Sequence, residues 1–207
     1  MKKAIILDLD NTIYPVNSIA DELFMRFFEM LESDSEGVDF KILKQAKDAI
    51  TRMPFQTVAD KYNFSQELTN KGIELLENLT YDLPIQPFGD YHLIKAIPIK
   101  KFLVTTGFTN LQRSKIKMLG IEGDFEDIHI VDPQVSDLTK KDVFVGILKK
   151  QHYNPEDLLI IGDDPESEIK AATELGIDTF LFDPMNKYTE AVSDYKSEKL
   201  KDVISYI

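Results

Sequence analysis

Cysteine is absent from the 207-residue chain. That excludes disulfides, thiolate metal centres and cysteine nucleophiles, and it leaves no thiol pattern from which to infer a redox compartment. Positive charge is also scarce, with 24 Lys and Arg against 36 Asp and Glu, a formal net charge of −12. A surface that acidic repels nucleic acid and anionic membrane, so neither is expected as a partner. A small anion is still accepted where a metal or a cluster of amides reverses the field locally. Long hydrophobic runs are missing too: none approaches the roughly 20 residues of a membrane span. The apolar run after Met1, Lys2 and Lys3 stops at Asp8, too soon for a secretory leader, so a cytoplasmic location is expected. The sequons at Asn63 and Asn78 are accordingly expected to be unused. There is no internal repeat and no low-complexity segment.

What is present is a soluble composition, 43% hydrophobic and 29% charged, long enough for one well-buried core with a smaller insertion. Residues 3–8 read as a strand. Residues Asn17 and Ser18 suit a helix cap, and Ile19, Leu23, Phe27, Met30 and Leu31 then fall on one helical face. Further helical stripes follow at Ile42, Ala46, Ala49, Ile50 and Met53, over residues 56–62, and at Leu68, Gly72, Leu75, Leu76 and Leu79. Pro84 and Pro87 punctuate the chain. Beyond them strands over 101–105, 128–131, 158–162 and 179–182 alternate with helices over 110–119, 141–150 and 165–175. The alternation predicts an α/β fold: a Rossmann-like parallel sheet core of residues 1–15 and 89–207, interrupted by an all-helical cap domain of residues 16–88.

Ligands bind such sheets beyond the carboxyl ends of the strands. The first strand runs into Asp8-Leu9-Asp10-Asn11-Thr12, placing two carboxylates where a buried strand emerges; they either cap a turn or serve chemistry. The second ends in Thr105-Thr106-Gly107, a hydroxyl and exposed amides near a helix start, which suits a phosphate or an ordinary turn. A later strand ends in Gly162-Asp163-Asp164-Pro165, with Glu166 and Glu168 close behind. Asp164 before proline suits a helix cap, and Glu166 complements the helix dipole. Asp163 has no such structural task and must pair with a cation or bind metal. Two carboxylate-bearing strand ends on one edge repel unless a cation lies between them, and such oxygen donors suit Mg²⁺. The pair Lys140-Lys141, after Thr139, supplies a fixed positive charge for an anionic substrate or merely solubilises the surface.

In this order, Asp8-Leu9-Asp10-Asn11-Thr12, Thr105, Lys140 or Lys141, and Gly162-Asp163 with Glu168 resemble the motifs of the haloacid dehalogenase superfamily of phosphatases. The resemblance covers nearly the whole chain, because the helical block falls where members with a helical cap carry it. It implies an aspartyl-phosphate intermediate on Asp8, with Asp10 as general acid and then base and Thr12 holding the turn. It implies Mg²⁺ held by Asp8, the Asp10 carbonyl and Asp163, with Asp164 and Glu168 in support. Thr105, Thr106, Gly107 and the lysine would neutralise the phosphoryl oxygens. Members that cleave carbon–halogen bonds lack an acid at the place of Asp10, so an oxygen leaving group is implied. Thr106 and Lys141 depart from the Asn and Pro common in relatives with a helical cap, and Glu168 from a commoner Asp. Lys140 is preferred over Lys141 because it precedes the expected helix and sets Phe144 facing the core.

The expected substrate is a small phosphorylated metabolite. The opening Asp8-Leu9-Asp10-Asn11-Thr12-Ile13-Tyr14 is similar to that of pyrimidine nucleotidase-like members and makes a nucleoside monophosphate the first expectation. Arg52 and Lys61 in the cap either meet an anionic group or lie on its surface, and Tyr14, Phe55 and Tyr62 either stack on a base or sugar or serve as surface or cap core. A phosphomutase on the same machinery and a non-catalytic binding module are the alternatives.

Overall fold

The computed structural model describes residues 1–34, 38–51, 53–189 and 193–207. Among these, six strands form one sheet with every pairing parallel: β1 (Ala4–Leu7), β2 (Lys100–Thr106), β3 (Asp127–Val131), β4 (Leu158–Gly162), β5 (Asp178–Phe182) and β6 (Tyr195–Ser197). Their order is β3-β2-β1-β4-β5-β6. β1 is therefore central, with Leu7 opposite both Leu103 and Ile161. A strand with neighbours on both sides and layers on both faces has no place for a polar side chain, which accounts for its uninterrupted Ala4-Ile5-Ile6-Leu7. Alternate residues serve opposite faces. Ala4 and Ile6 join Phe102, Val104 and Ile160 in one cluster, while Ile5 and Leu7 join Leu103, Ile161 and Phe180 in the other.

Between β1 and β2 lie α1 (Ala20–Asp34), α2 (Phe40–Ile50), α3 (Phe55–Lys61) and α4 (Gln66–Glu77). Asp39 and Ser65 cap α2 and α4 by accepting from backbone N–H groups of Lys41 and Leu68. Phe24, Phe27, Ile50, Phe55 and Leu76 belong to the same apolar cluster as Ile5 and Leu7, so this block packs continuously with one sheet face. Phe27 and Phe55 meet edge to face at 5.0 Å within it. After it come α5 (Tyr91–Lys95), α6 (Thr109–Leu119), α7 (Lys140–Gln151) and α8 (Lys170–Thr173). No helix among the described residues is long and apolar enough to cross a membrane.

Two local expectations are corrected, and two short elements are new. Asn17 and Ser18 do not cap α1: they lie in a 3-10 turn, Val16–Ser18, and the Ser18 hydroxyl donates to the Pro15 carbonyl at 2.6 Å. The helix expected over 165–175 opens instead as a π-type turn, Pro165–Ile169, before α8. That widened turn swings Glu168 back over β4, and such turns often mark functional sites. Finally, α5 and β6 carry too few periodic apolar residues to have been recognised.

Candidate active site

The loops after β1, β2 and β4 meet at the carboxyl edge of the sheet. Asp8 sits beside the end of β4 because its N–H donates to the Ile161 carbonyl at 3.0 Å. Its Oδ1 accepts from Lys140 Nζ at 2.7 Å, and Lys140 also donates to Glu168 Oε2 at 2.6 Å. Thr139 and Asp142 form a reciprocal capping box at the start of α7, which makes Lys140 the first helical residue and turns its side chain inward. Glu168 Oε1 accepts from the Asp164 N–H at 2.9 Å. The carboxylate lies directly over Gly162, where a Cβ would fall 2.1 Å from Oε1; only glycine admits it. Asp164 caps the turn by accepting from the Glu166 N–H at 2.8 Å.

Asp8, Asp163 and Glu168 can each present one carboxylate oxygen within 4.8 Å of the others. Against these three stands one lysine, and Asp163 has no hydrogen-bond or ion-pair partner among the described residues. Burial, reinforced by Glu168 and Asp8, pushes the Asp163 carboxyl up to about 9. Burial likewise raises Asp8 to about 7, against the pull of Lys140. Burial opposes ionisation of Glu168 as well, but Lys140 outweighs it and holds that carboxyl below its usual value. Lys140 is pushed up: burial lowers its proton affinity, and Asp8 and Glu168 raise it by more. The cluster is thus short of positive charge, and its hard oxygen donors fit Mg²⁺.

Asp10 lies in a different setting. Tyr14 donates its hydroxyl to Oδ1 at 2.6 Å, Lys115 Nζ lies 2.9 and 3.0 Å from the two carboxylate oxygens, and Gln112 Nε2 lies 2.9 Å from Oδ2. Burial raises this carboxyl, but Lys115, Tyr14 and Gln112 together hold it below its ordinary value. Gln112 Nε2 also lies 2.7 Å from Thr105 Oγ1 and 3.1 Å from the Thr106 carbonyl.

The structure brings together Asp8, Asp10, Thr105, Lys140, Asp163, Asp164 and Glu168 around one cavity of about 430 Å³, with Thr106 and Gly107 at its wall. Lys141 is not part of it: it is exposed and pairs with Glu174 at 2.7 Å. The Gly107 amide is not free for an anion, since its N–H donates to the Val131 carbonyl at 3.0 Å. Thr12 does not hold its turn through the hydroxyl, which is buried and has no partner among the described residues; the turn is closed by N–H groups of Thr12 and Ile13 donating to the Leu9 carbonyl. Tyr14 is wholly buried beneath Asp10 and offers no stacking face.

From the helical block, Phe24, Ile50, Met53, Phe55 and Gln56 form the roof of the cavity. Lys61 and Tyr62 lie off it, the lysine over the tyrosine ring at 5.5 Å. Arg52 lies outside the described residues. Two residues of the site, Gln112 and Lys115, escaped sequence reasoning, as did Asp132, which supports α6 from outside the cavity. Asp132 follows β3 and accepts from the Thr109 N–H and hydroxyl at 2.8 and 2.7 Å, anchoring the start of α6. The signal for the other two was polar residues within a buried helical stripe, Leu111, Gln112, Lys115 and Ile116.

Residues 2–176 match the family of haloacid dehalogenase-like hydrolases. A glyceraldehyde 3-phosphate phosphatase of Methanocaldococcus jannaschii is 22% identical over a 226-residue alignment spanning 100% of this chain and 97% of that protein. Among solved structures, a haloacid dehalogenase-like hydrolase of Streptococcus pneumoniae superposes with a TM-score of 0.74 at 19% identity, covering 99% of this chain and 98% of the other. The HAD-hydrolase YfnB of Bacillus subtilis, solved bound to magnesium, gives 0.68 at 19% identity with the same coverage.

Proposed function

The chain belongs to the haloacid dehalogenase-like hydrolases, and from that premise we propose a phosphomonoesterase that cleaves a small phosphorylated metabolite through an aspartyl-phosphate on Asp8. The observation that carries this is the pairing of Asp8, in a buried cluster short of positive charge, with Asp10 two residues on, gripped by three donors. An Asp8 carboxylate oxygen attacks phosphorus and the bond to the leaving oxygen breaks. Asp10 gives that oxygen a proton and recovers one from the water that hydrolyses the aspartyl-phosphate. In the ligand-free protein Asp10 is a carboxylate; an incoming phosphate adds negative charge beside it and favours its protonation. Lys140 and the Thr105 hydroxyl face the phosphoryl oxygens and offset their charge.

Asp8, Asp163 and the Asp10 carbonyl would hold Mg²⁺, with Glu168 fixing Lys140 beside them; when bound, the ion supplies Lewis-acid neutralisation of nucleophile and phosphoryl group. The acidic cluster supports that assignment, as does the magnesium bound by the B. subtilis neighbour. The helical block roofs the cavity and serves as a lid that excludes water and shapes the leaving-group pocket. For the substrate, the opening from Asp8 to Tyr14 favours a nucleoside monophosphate, whereas similarity to a glyceraldehyde 3-phosphate phosphatase favours a triose phosphate.

The test is phosphate release from a panel holding both classes, with and without Mg²⁺, for the wild type and Asp8→Asn. Turnover that needs Mg²⁺ and vanishes in the variant is expected. Undiminished turnover by Asp8→Asn sinks the covalent route, and activity surviving chelation overturns the metal assignment. An inactive wild type across the panel favours a binding module instead.

A further inference from the structure

Two side chains of α6 make contacts that binding the phosphoryl group does not require. Lys115 and Gln112 are 4% and 1% exposed, on the helix face otherwise filled by Leu111 and Ile116. Burying a long polar side chain costs both rotamer freedom and hydration, and an apolar residue would pack that face as well. What the two share is Asp10. Lys115 Nζ sits nearly equidistant from the two carboxylate oxygens, at 2.9 and 3.0 Å, and so restricts rotation about the carboxylate. Gln112 Nε2 lies within reach of both Asp10 Oδ2 and Thr105 Oγ1, placing one amide between Asp10 and the hydroxyl assigned to the phosphate. Tyr14 closes the remaining side at Oδ1. Both α6 residues line the same cavity as Asp8, Asp10 and Lys140.

We propose that Lys115, seconded by Gln112, is a positioning residue for proton transfer, holding the Asp10 carboxyl in the orientation that meets the leaving oxygen of the ester. This rests on Asp10 being the proton donor. As the phosphorus–oxygen bond breaks, its electron pair stays on the leaving oxygen, which takes the Asp10 proton. Asp10 returns to the carboxylate that Lys115 holds, and the attacking water restores the proton.

The experiment measures single-turnover release of two leaving groups, 4-nitrophenolate from its phosphate and glycerol from glycerol phosphate, in holoenzyme with Mg²⁺. The aryl oxide leaves without a proton, whereas the alkoxide needs one. In Lys115→Met the alkyl-to-aryl ratio of release rates should fall about 30-fold or more, within the range of general acid catalysis. Lys115→Arg, which keeps the donors, should recover part of that ratio, and Asp10→Asn should lower it as far as Lys115→Met does. Adding Lys115→Met to Asp10→Asn should lower it no further, because Lys115 acts through Asp10. A uniform loss on both esters, or a further drop in the double variant, overturns the positioning role in favour of a packing one. An unchanged ratio in Asp10→Asn removes the proton-donor premise itself; a fall there with none in Lys115→Met removes only the part assigned to Lys115. Gln112→Leu is measured alongside and should lower the ratio as well, so the outcome does not hang on one variant folding.

Discussion

Asp8 and Asp10 stand two residues apart on one loop, yet their surroundings differ in kind. Around Asp8 two of three carboxylates share one lysine, and the third, Asp163, has no partner among the described residues. Around Asp10 a single carboxylate has an ammonium, an amide and a phenol. Burial acts on both and favours the neutral form in each; what separates them is the count of donors. One half of the cleft is electrostatically complete, and the other is short of positive charge. Two carboxylates with divergent proton affinities are the usual basis for divided roles in catalysis.

The comparison can be broken most severely at Lys140. Lys140→Met leaves Asp8 and Glu168 buried without their cation, and chemical denaturation should show a loss of about 3–5 kcal/mol. In the same variant, kcat on phosphate esters should fall on the order of 10²-fold or more. Next in size is the metal. Saturating Mg²⁺ at about 100 times its Kd should raise the thermal midpoint by about 5–10 °C in the wild type. Asp163→Asn should abolish that rise while raising the midpoint of the metal-free protein, since it removes the cost of burying a carboxyl that must take up a proton on folding. An Mg²⁺ response retained by Asp163→Asn would show that the cation sits elsewhere.

A further effect is expected from pH. Burial pushes the folded Asp163 carboxyl up to about 9, well above the ordinary carboxylate range. Its stabilising contribution is therefore fully present below the unfolded pKa and is lost as pH rises through the folded one. Between about pH 4 and about pH 9 this group should lower the stability of the metal-free protein as pH rises, and Asp163→Asn should remove its share of that slope. The smallest effect is at Lys141, an exposed residue paired with the equally exposed Glu174. Lys141→Ala should change stability by no more than about 0.5 kcal/mol and leave phosphate release intact. A large loss there would erase the distinction between the two neighbouring lysines.

Much of this was legible because strand ends are local. An apolar run halted by Asp8, or by Gly162 and Asp163, announces the edge where a parallel sheet binds ligands. The capping box of Thr139 and Asp142, which makes Lys140 the first residue of α7, became visible only in the structure. Lys115 and Gln112 were illegible for the opposite reason. Their partner, Asp10, lies 105 and 102 residues away in the chain, and a lysine on a helix is ordinarily a surface residue. Tyr14 could be read as stacking or as core, because an aromatic ring near a site serves either until its hydroxyl is placed; it is core.

By itself, then, the sequence determined the parallel α/β core, its helical interruption and the strand ends where chemistry collects, because burial periodicity and turn chemistry are encoded within a few residues. Only the tertiary structure decided which lysine faces Asp8, why Gly162 must lack a side chain beneath Glu168, and that the Gly107 amide belongs to the sheet. Above all it decided that Asp8 and Asp10 lie in opposite electrostatic settings. Such settings are sums over groups brought together from distant segments, and no local pattern carries that sum.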